Sequence, residues 1–138
     1  MNRPSAPRDV EDFGHRLRIL IVEDSPTMRQ LLRFALSRLQ DVEIVEAQDG
    51  MDGWRKISGD RFHLVLIDIN MPVMDGLKLI GLIRNEDDLN DVPIVVITSD
   101  AAQQDRERAL NLGANEYLTK PIQTNRVLAV AKSLLKLG

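Results

Sequence analysis

The chain's candidate chemistry begins at an aspartate, Asp68, in the run HLVLIDINMPVMDG. The residues just before it are almost all apolar, which is typical of a strand buried on both faces of a parallel sheet. A carboxylate is costly to bury without a partner. We therefore expect Asp68 to lie at the carboxyl end of this strand, to open into a site, and to be the reactive group there.

Three other predicted strands also deliver polar residues at their ends. The first is followed by Glu23 and Asp24, the fourth ends in Thr98, and the fifth ends in Lys120. Ligand sites in open parallel sheets lie outside the carboxyl ends of the strands, so we expect these side chains to meet Asp68. Taken singly, each has an ordinary explanation as a solvated strand end, a helix cap or a surface lysine. The conjunction of four strand ends is what favours a site.

These residue types suit phosphoryl transfer. Three carboxylates in one pocket repel one another unless a cation neutralises them, and ligand sets made only of oxygen favour Mg²⁺ (or Mn²⁺). Lys120 adds a fixed positive charge and Thr98 a hydroxyl donor. We therefore predict that the Asp68 carboxylate attacks a phosphoryl donor and that water later hydrolyses the acyl phosphate.

Composition and charge limit the functional classes to which the chain can belong. The 138 residues suit one domain, and a net charge of −3 offers no basic field for nucleic acid. The absence of cysteine excludes disulfides and thiolate chemistry, and two separated histidines give no metal-ligand spacing. No secretory signal or bilayer-length apolar run is visible, which predicts a cytoplasmic protein without membrane contact. We divide the chain into a flexible tail, residues 1–16, and a domain, residues 17–138.

Short apolar runs alternate with amphipathic segments through that domain. Strands are predicted at about 19–22, 42–47, 64–69, 94–98 and 116–119, with helices at about 26–39, 51–57, 75–84, 101–112 and 124–137. Ser25-Pro26 is a helix start, with serine as the N-cap and proline in the first turn. Phe34 falls off the inward face of the first helix. Five strand–helix repeats with short connections predict an α/β fold, a parallel sheet with helices on both faces.

The ordered motifs resemble the receiver domain of bacterial two-component response regulators. They are the acid pair Glu23-Asp24, Asp68 within DINMPVMDG, Thr98-Ser99, and Lys120-Pro121 within YLTKP, and the match covers about residues 17–137. With no room for an effector domain, the chain is most similar to the stand-alone, CheY-like receivers. The resemblance implies a doubly wound five-stranded parallel sheet in the order 2-1-3-4-5, the flavodoxin-like arrangement.

The resemblance also implies residue roles at the metal and the acceptor. Asp68 would accept the phosphoryl group from a sensor histidine kinase or a histidine phosphotransfer protein. Asp24 and Asp68 would bind Mg²⁺ through their carboxylates, Asn70 through its backbone carbonyl, and Glu23 largely through water. Asn70 and Asp100 would tune the loss of phosphate.

Further implied roles concern signal output. Thr98 and Lys120 would contact the phosphoryl oxygens, and Tyr117 would be the aromatic that turns inward as Thr98 moves. The fourth helix, fifth strand and fifth helix would form the signalling surface toward an unknown downstream protein, and the first helix would dock the kinase. A cis peptide is expected at Lys120-Pro121. The chain would be a signalling switch, not a conventional enzyme, acting as a monomer or weak dimer.

Three alternatives compete with this interpretation. A degenerate receiver that binds partners without phosphorylation usually lacks a key residue, and none is missing here. A phosphotransferase of the haloacid-dehalogenase class would carry a DxD arrangement after the first strand. A flavodoxin-like nucleotide binder needs a phosphate-binding loop there, where this chain has Glu-Asp-Ser-Pro. One departure from the receiver pattern is Ile122, which stands where many members have an aromatic.

Overall fold

A computed structural model of the chain describes residues 16–71, 73–99 and 103–137. Of the predicted tail, only Arg16 falls within these ranges. Asp100, predicted to tune the loss of phosphate, lies outside the described residues. Every helix within those ranges is too short or too polar to span a bilayer.

Within the described ranges, five strands alternate with five helices, as the sequence predicts. The strands are β1 (Leu17–Val22), β2 (Val42–Ala47), β3 (Leu64–Asp68), β4 (Ile94–Ser99) and β5 (Glu116–Lys120). The helices are α1 (Pro26–Leu36), α2 (Gly50–Gly59), α3 (Gly76–Arg84), α4 (Gln103–Leu112) and α5 (Thr124–Leu135).

The first helix starts as predicted and ends earlier. The Ser25 side chain accepts a hydrogen bond from the Met28 N–H, and Pro26 occupies the first turn. At the other end the Ser37 hydroxyl donates to the Phe34 carbonyl, and α1 ends at Leu36. A serine hydroxyl that bonds a carbonyl of the preceding turn competes with helix continuation. Leu39, predicted to continue the helix, is buried outside it.

The five strands form one parallel sheet in the order β2-β1-β3-β4-β5. This is the 2-1-3-4-5 order that the resemblance implied, and it is confirmed. β3 lies in the centre and all five of its residues are buried, whereas β2 lies at an edge and is half-buried. Continuous burial of a central strand explains its unbroken apolar run.

Apolar cores cover both faces of the sheet. On one face α1 and α5 contribute Leu32, Leu36, Val127 and Ala131. On the other face α2, α3 and α4 contribute Ile57, Leu79, Ile80, Ile83 and Ala109. Strand residues alternate between the two cores because successive side chains point to opposite faces. The doubly wound α/β prediction is thereby confirmed.

Strand register brings the carboxyl ends of the central strands to one level. Val22, the last residue of β1, pairs with Ile67 of β3, and Asp68 pairs with Ile97 of β4. Ser99 of β4 pairs with Lys120 of β5. Residues that follow these pairs therefore emerge together at one edge of the sheet.

A close approach of α2 to β1 depends on Gly53. A Cβ atom added there would lie 2.9 Å from Cγ2 and 3.0 Å from Cγ1 of the buried Val22. At Gly81, which also lies within a helix, an added Cβ would meet no described atom within 4 Å apart from its chain neighbours and its own helix backbone. The two glycines therefore share a backbone conformation and differ in surroundings.

We expect Gly53→Ala and Gly81→Ala to change stability in opposite directions. Gly81→Ala gains helix propensity and should stabilise the chain by about 0.5–1 kcal/mol. Gly53→Ala gains the same propensity but crowds Val22 against a packed core, so a net loss of about 1–2 kcal/mol is expected. Urea denaturation followed by circular dichroism measures both. Changes of the same sign would contradict this account of Gly53.

Candidate functional site

Asp68 occupies the last position of β3 at the carboxyl edge of the sheet, and only 1% of its surface is exposed. Its Oδ1 accepts a hydrogen bond from the Asn70 backbone N–H at 3.1 Å. The Lys120 ammonium lies 3.5 Å from Oδ1 and 3.4 Å from Oδ2. The buried carboxylate is therefore held by one cation and one backbone donor.

Lys120 reaches Asp68 from the last position of β5, across the intervening strand β4. Its side chain is 31% exposed, so the ion pair lies at the opening of the site and not deep within the sheet. The peptide bond that follows, Lys120-Pro121, is cis, as the resemblance led us to expect.

The acid pair completes the site from the end of β1. Glu23 is buried, with Oε2 accepting from the Ser25 backbone N–H at 3.0 Å, whereas Asp24 is exposed. Glu23, Asp24 and Asp68 each offer a carboxylate oxygen, and these three oxygens lie within 4.8 Å of one another. Three strand-end carboxylates therefore converge, as the sequence predicted.

Electrostatics at Glu23 reflect this crowding. Burial raises the pKa of the Glu23 carboxyl to about 8, the nearby Asp68 charge also raises this pKa, and the Ser25 N–H opposes the shift. Burial penalises the charged form of a carboxyl and so does a neighbouring negative charge. A divalent cation near these oxygens would favour the ionised form of Glu23.

The residues present fit a hard divalent cation. Glu23 Oε1 is buried and has no hydrogen-bond partner among the described residues, so this oxygen is available as a cation ligand. The donors are all oxygens, which suits Mg²⁺ or Mn²⁺. Asn70, predicted to add its backbone carbonyl, is exposed and lies two residues beyond Asp68.

Thr98 lies on β4, the strand beside β3, and Tyr117 lies on β5, the next strand along the sheet. Thr98 is fully buried near the end of β4, and its hydroxyl donates to the Ser99 carbonyl at 3.3 Å. Tyr117 lies on β5 opposite Val96, and its ring packs partly buried against the core on the α2–α4 face. Both residues occupy the region that the sequence assigned to them.

Gly76, the first residue of α3, supports the site although no role at the site was predicted for it. An added Cβ there would lie 2.5 Å from the Asp68 carbonyl and 2.8 Å from Ile69 Cα. The Gly76 N–H donates to the Ile69 carbonyl at 3.0 Å. A glycine therefore lets α3 begin directly against the backbone of the strand end that carries Asp68. The Asp-Gly pair that follows the strand was the available signal.

Comparison with known proteins gives one family. Residues 19–132 match the family model described as the response regulator receiver domain. Among curated proteins, "Chemotaxis protein CheY1" of Helicobacter pylori is 37% identical over 106 residues, which cover 76% of this chain and 86% of that protein.

Solved structures give the same result. The receiver domain of the sensor histidine kinase PA1611 from Pseudomonas aeruginosa, described with a magnesium ion coordinated in its active site cleft, is similar with a TM-score of 0.80. The two are 30% identical, over 88% of this chain and 98% of that one. Chemotaxis protein CheY4 of Vibrio cholerae superposes with a TM-score of 0.79 and 26% identity, over 86% of this chain and 98% of that one.

The raised pKa of Glu23 predicts a pH-dependent stability. Between pH 4.5, the ordinary pKa of a glutamate, and about 8, the folded chain retains a proton that the unfolded chain has lost. Without divalent cation, the free energy of unfolding should therefore fall as pH rises through this window, by at most about 1.4 kcal/mol per pH unit from this group.

Urea titrations of the wild type and Glu23→Gln, in a chelator, test this dependence. Glutamine cannot ionise, so the stability of the wild type relative to the variant should decline from pH 5 to 8 and level off above that. Other titrating groups are common to both chains and cancel in the difference. Parallel profiles would show that Glu23 ionises normally in the folded chain.

Proposed function

The chain belongs to the response regulator receiver domain family, and from this premise we propose that it is a phosphorylation-dependent signalling switch. In this proposal Asp68 accepts a phosphoryl group in a reaction that depends on Mg²⁺, and the modified domain changes its affinity for a downstream protein. The observation that carries the proposal is the buried Asp68 carboxylate, held by Lys120 beside two further carboxylates.

The covalent step is a displacement at phosphorus. One Asp68 carboxylate oxygen forms a bond to the phosphorus of the donor, and the bond from phosphorus to the donor's leaving atom breaks with its electron pair. The product is an acyl phosphate on Asp68. Later attack by water on phosphorus returns the carboxylate and releases inorganic phosphate.

Several groups around Asp68 would stabilise the negative charge of the phosphoryl group. Lys120, 3.4 Å from the acceptor carboxylate, provides a cation for the phosphoryl oxygens once Asp68 is modified. Thr98 would exchange its weak 3.3 Å bond to the Ser99 carbonyl for one to a phosphoryl oxygen. Bound Mg²⁺ would be held by Glu23, Asp24, Asp68 and the Asn70 carbonyl, and it would neutralise negative charge on the phosphoryl group.

Partners follow from the family. We propose a sensor histidine kinase or a histidine phosphotransfer protein as the donor, and an unidentified protein as the target of α4, β5 and α5. A similar protein in H. pylori is a chemotaxis protein, which makes motility one candidate process here. Cytoplasmic location, a monomeric or weakly dimeric state and the absence of nucleic acid binding stay predictions. Because no key residue is missing, we favour phosphorylation over a degenerate receiver.

Incubation with acetyl phosphate and Mg²⁺, followed by intact mass measurement, tests the acceptor. The wild type should gain the mass of one phosphoryl group. Asp68→Asn should lose the adduct, because an amide oxygen is a far weaker nucleophile, and chelation of Mg²⁺ should reduce it strongly. Asp88→Asn is a matched control, since this exposed aspartate lies in the loop before β4, at the opposite end of the strands. An adduct that persists undiminished in Asp68→Asn would refute the proposal.

Loss of phosphate provides a second test. We propose that Asn70 and Asp100, two residues beyond Asp68 and Thr98, orient the attacking water and allow fairly rapid decay. Asp100→Arg should slow the decay several-fold, because a long cationic side chain cannot accept a proton from water. Gln103→Arg introduces the same side chain at the exposed start of α4 and should leave the decay unchanged. Equal decay in wild type and Asp100→Arg would remove the assigned role.

A further inference from the structure

A cation–π contact links α4 to the aromatic residue of β5. The Arg106 guanidinium carbon lies 5.0 Å from the centroid of the Tyr117 ring. Both residues are half-buried, and Tyr117 also packs against the core. A guanidinium at this distance from an aromatic face is attracted by the ring quadrupole, and more strongly when partly desolvated. The tyrosine ring therefore serves as a surface on which α4 rests.

Among the described residues, little else holds α4 in position. Only Ala109 is buried among its ten residues, whereas the nine-residue α3 buries four. The Arg108–Asp105 ion pair joins residues of α4 to each other and so ties the helix to nothing. Because buried apolar area is the main source of packing energy, single contacts carry unusual weight in this helix.

The carboxyl end of α4 is held more firmly. Nε and Nη2 of Arg84, at the end of α3, donate to the Gly113 carbonyl at 3.0 and 2.8 Å. Gly113 has φ +117, and an added Cβ would lie 2.9 Å from Arg84 Nε. α4 is thus clamped where it ends, while Arg106 lies in its first half. The contact between Arg106 and Tyr117 is therefore placed to set the position of the less constrained half.

From these contacts we infer that Arg106 is a positioning residue that couples the orientation of the Tyr117 ring to the position of α4. When the ring reorients, the surface under the guanidinium moves, and a helix with one buried residue follows it. The inference rests on the proposed function for the event that reorients the ring, phosphorylation of Asp68. It assigns to Arg106 the link between the strand aromatic and the helix part of the proposed signalling surface.

The positions of Thr98 and Tyr117 on adjacent strands support this coupling. Thr98 lies on β4, two residues after Val96, which pairs with Tyr117 on β5. The buried Thr98 hydroxyl and the Tyr117 ring are therefore on neighbouring strands. Thr98 lies on the strand beside that of Asp68, and the Tyr117 ring contacts Arg106 of α4.

The single tyrosine of the chain makes this testable. A 3-fluorotyrosine label gives one ¹⁹F resonance, which reports Tyr117 alone. The full chain is treated with acetyl phosphate and Mg²⁺, the adduct is quantified by intact mass, and the ¹⁹F and α4 amide resonances are recorded. Arg106→Gln removes the charge, Arg106→Lys keeps a cation, and Arg108→Gln alters an exposed arginine of the same helix.

In the wild type, adduct formation should shift both the ¹⁹F resonance and the α4 amides. In Arg106→Gln the adduct should form to the same extent and the ¹⁹F resonance should still respond, but the α4 shifts should fall below half. Arg106→Lys should restore most of the response, and Arg108→Gln should match the wild type. A wild-type α4 response in fully modified Arg106→Gln would overturn the inference alone. Absence of any adduct on the wild type would overturn the proposed function and this inference with it.

Discussion

Three carboxylates meet at one edge of the sheet, and the protein's own groups compensate their negative charge only in part. Glu23 and Asp68 are both buried at the carboxyl edge of the sheet, and Asp24 joins them from the surface. Against three carboxylates the described residues set one lysine and two backbone N–H donors. Burial of charge without full pairing is costly, and the raised pKa of Glu23 is its direct consequence. A divalent cation near these oxygens would compensate the remaining negative charge.

The sheet accommodates these charges because apolar side chains fill the cores on both of its faces. β3 is fully buried along its length, and apolar cores cover both of its faces. The polar residues begin only where the paired strands end, so the charges face the opening and leave the core apolar. Close packing at Gly53 and Gly76 brings α2 and α3 against the strand ends and holds those ends in place. A packed frame of this kind fixes the positions of the carboxylates at the strand ends.

Much of this was predictable from sequence because the signals are local. Apolar runs that end in Glu23-Asp24, Asp68, Thr98 and Lys120 identify both the strands and the edge where their ends meet. The strand order and the cis peptide came from family resemblance, since periodicity carries no information on which strands pair. Phe34 was predicted to fall off the inward face of α1, and it is 65% exposed.

What the sequence could not supply are contacts between side chains from separate elements. Nothing local indicates that Arg106 meets Tyr117, because α4 is polar on most sides and its arginines look equally solvated. The same holds for Arg84 at Gly113, and for the Glu23 oxygen that is left without a partner. These contacts depend on the angle at which each helix crosses the sheet. The helices also differ in how much they bury: α3 buries four residues, whereas the neighbouring α4 buries one. A helix that buries little surface moves at lower cost than a well-packed one, and of the five described helices α4 buries the fewest residues.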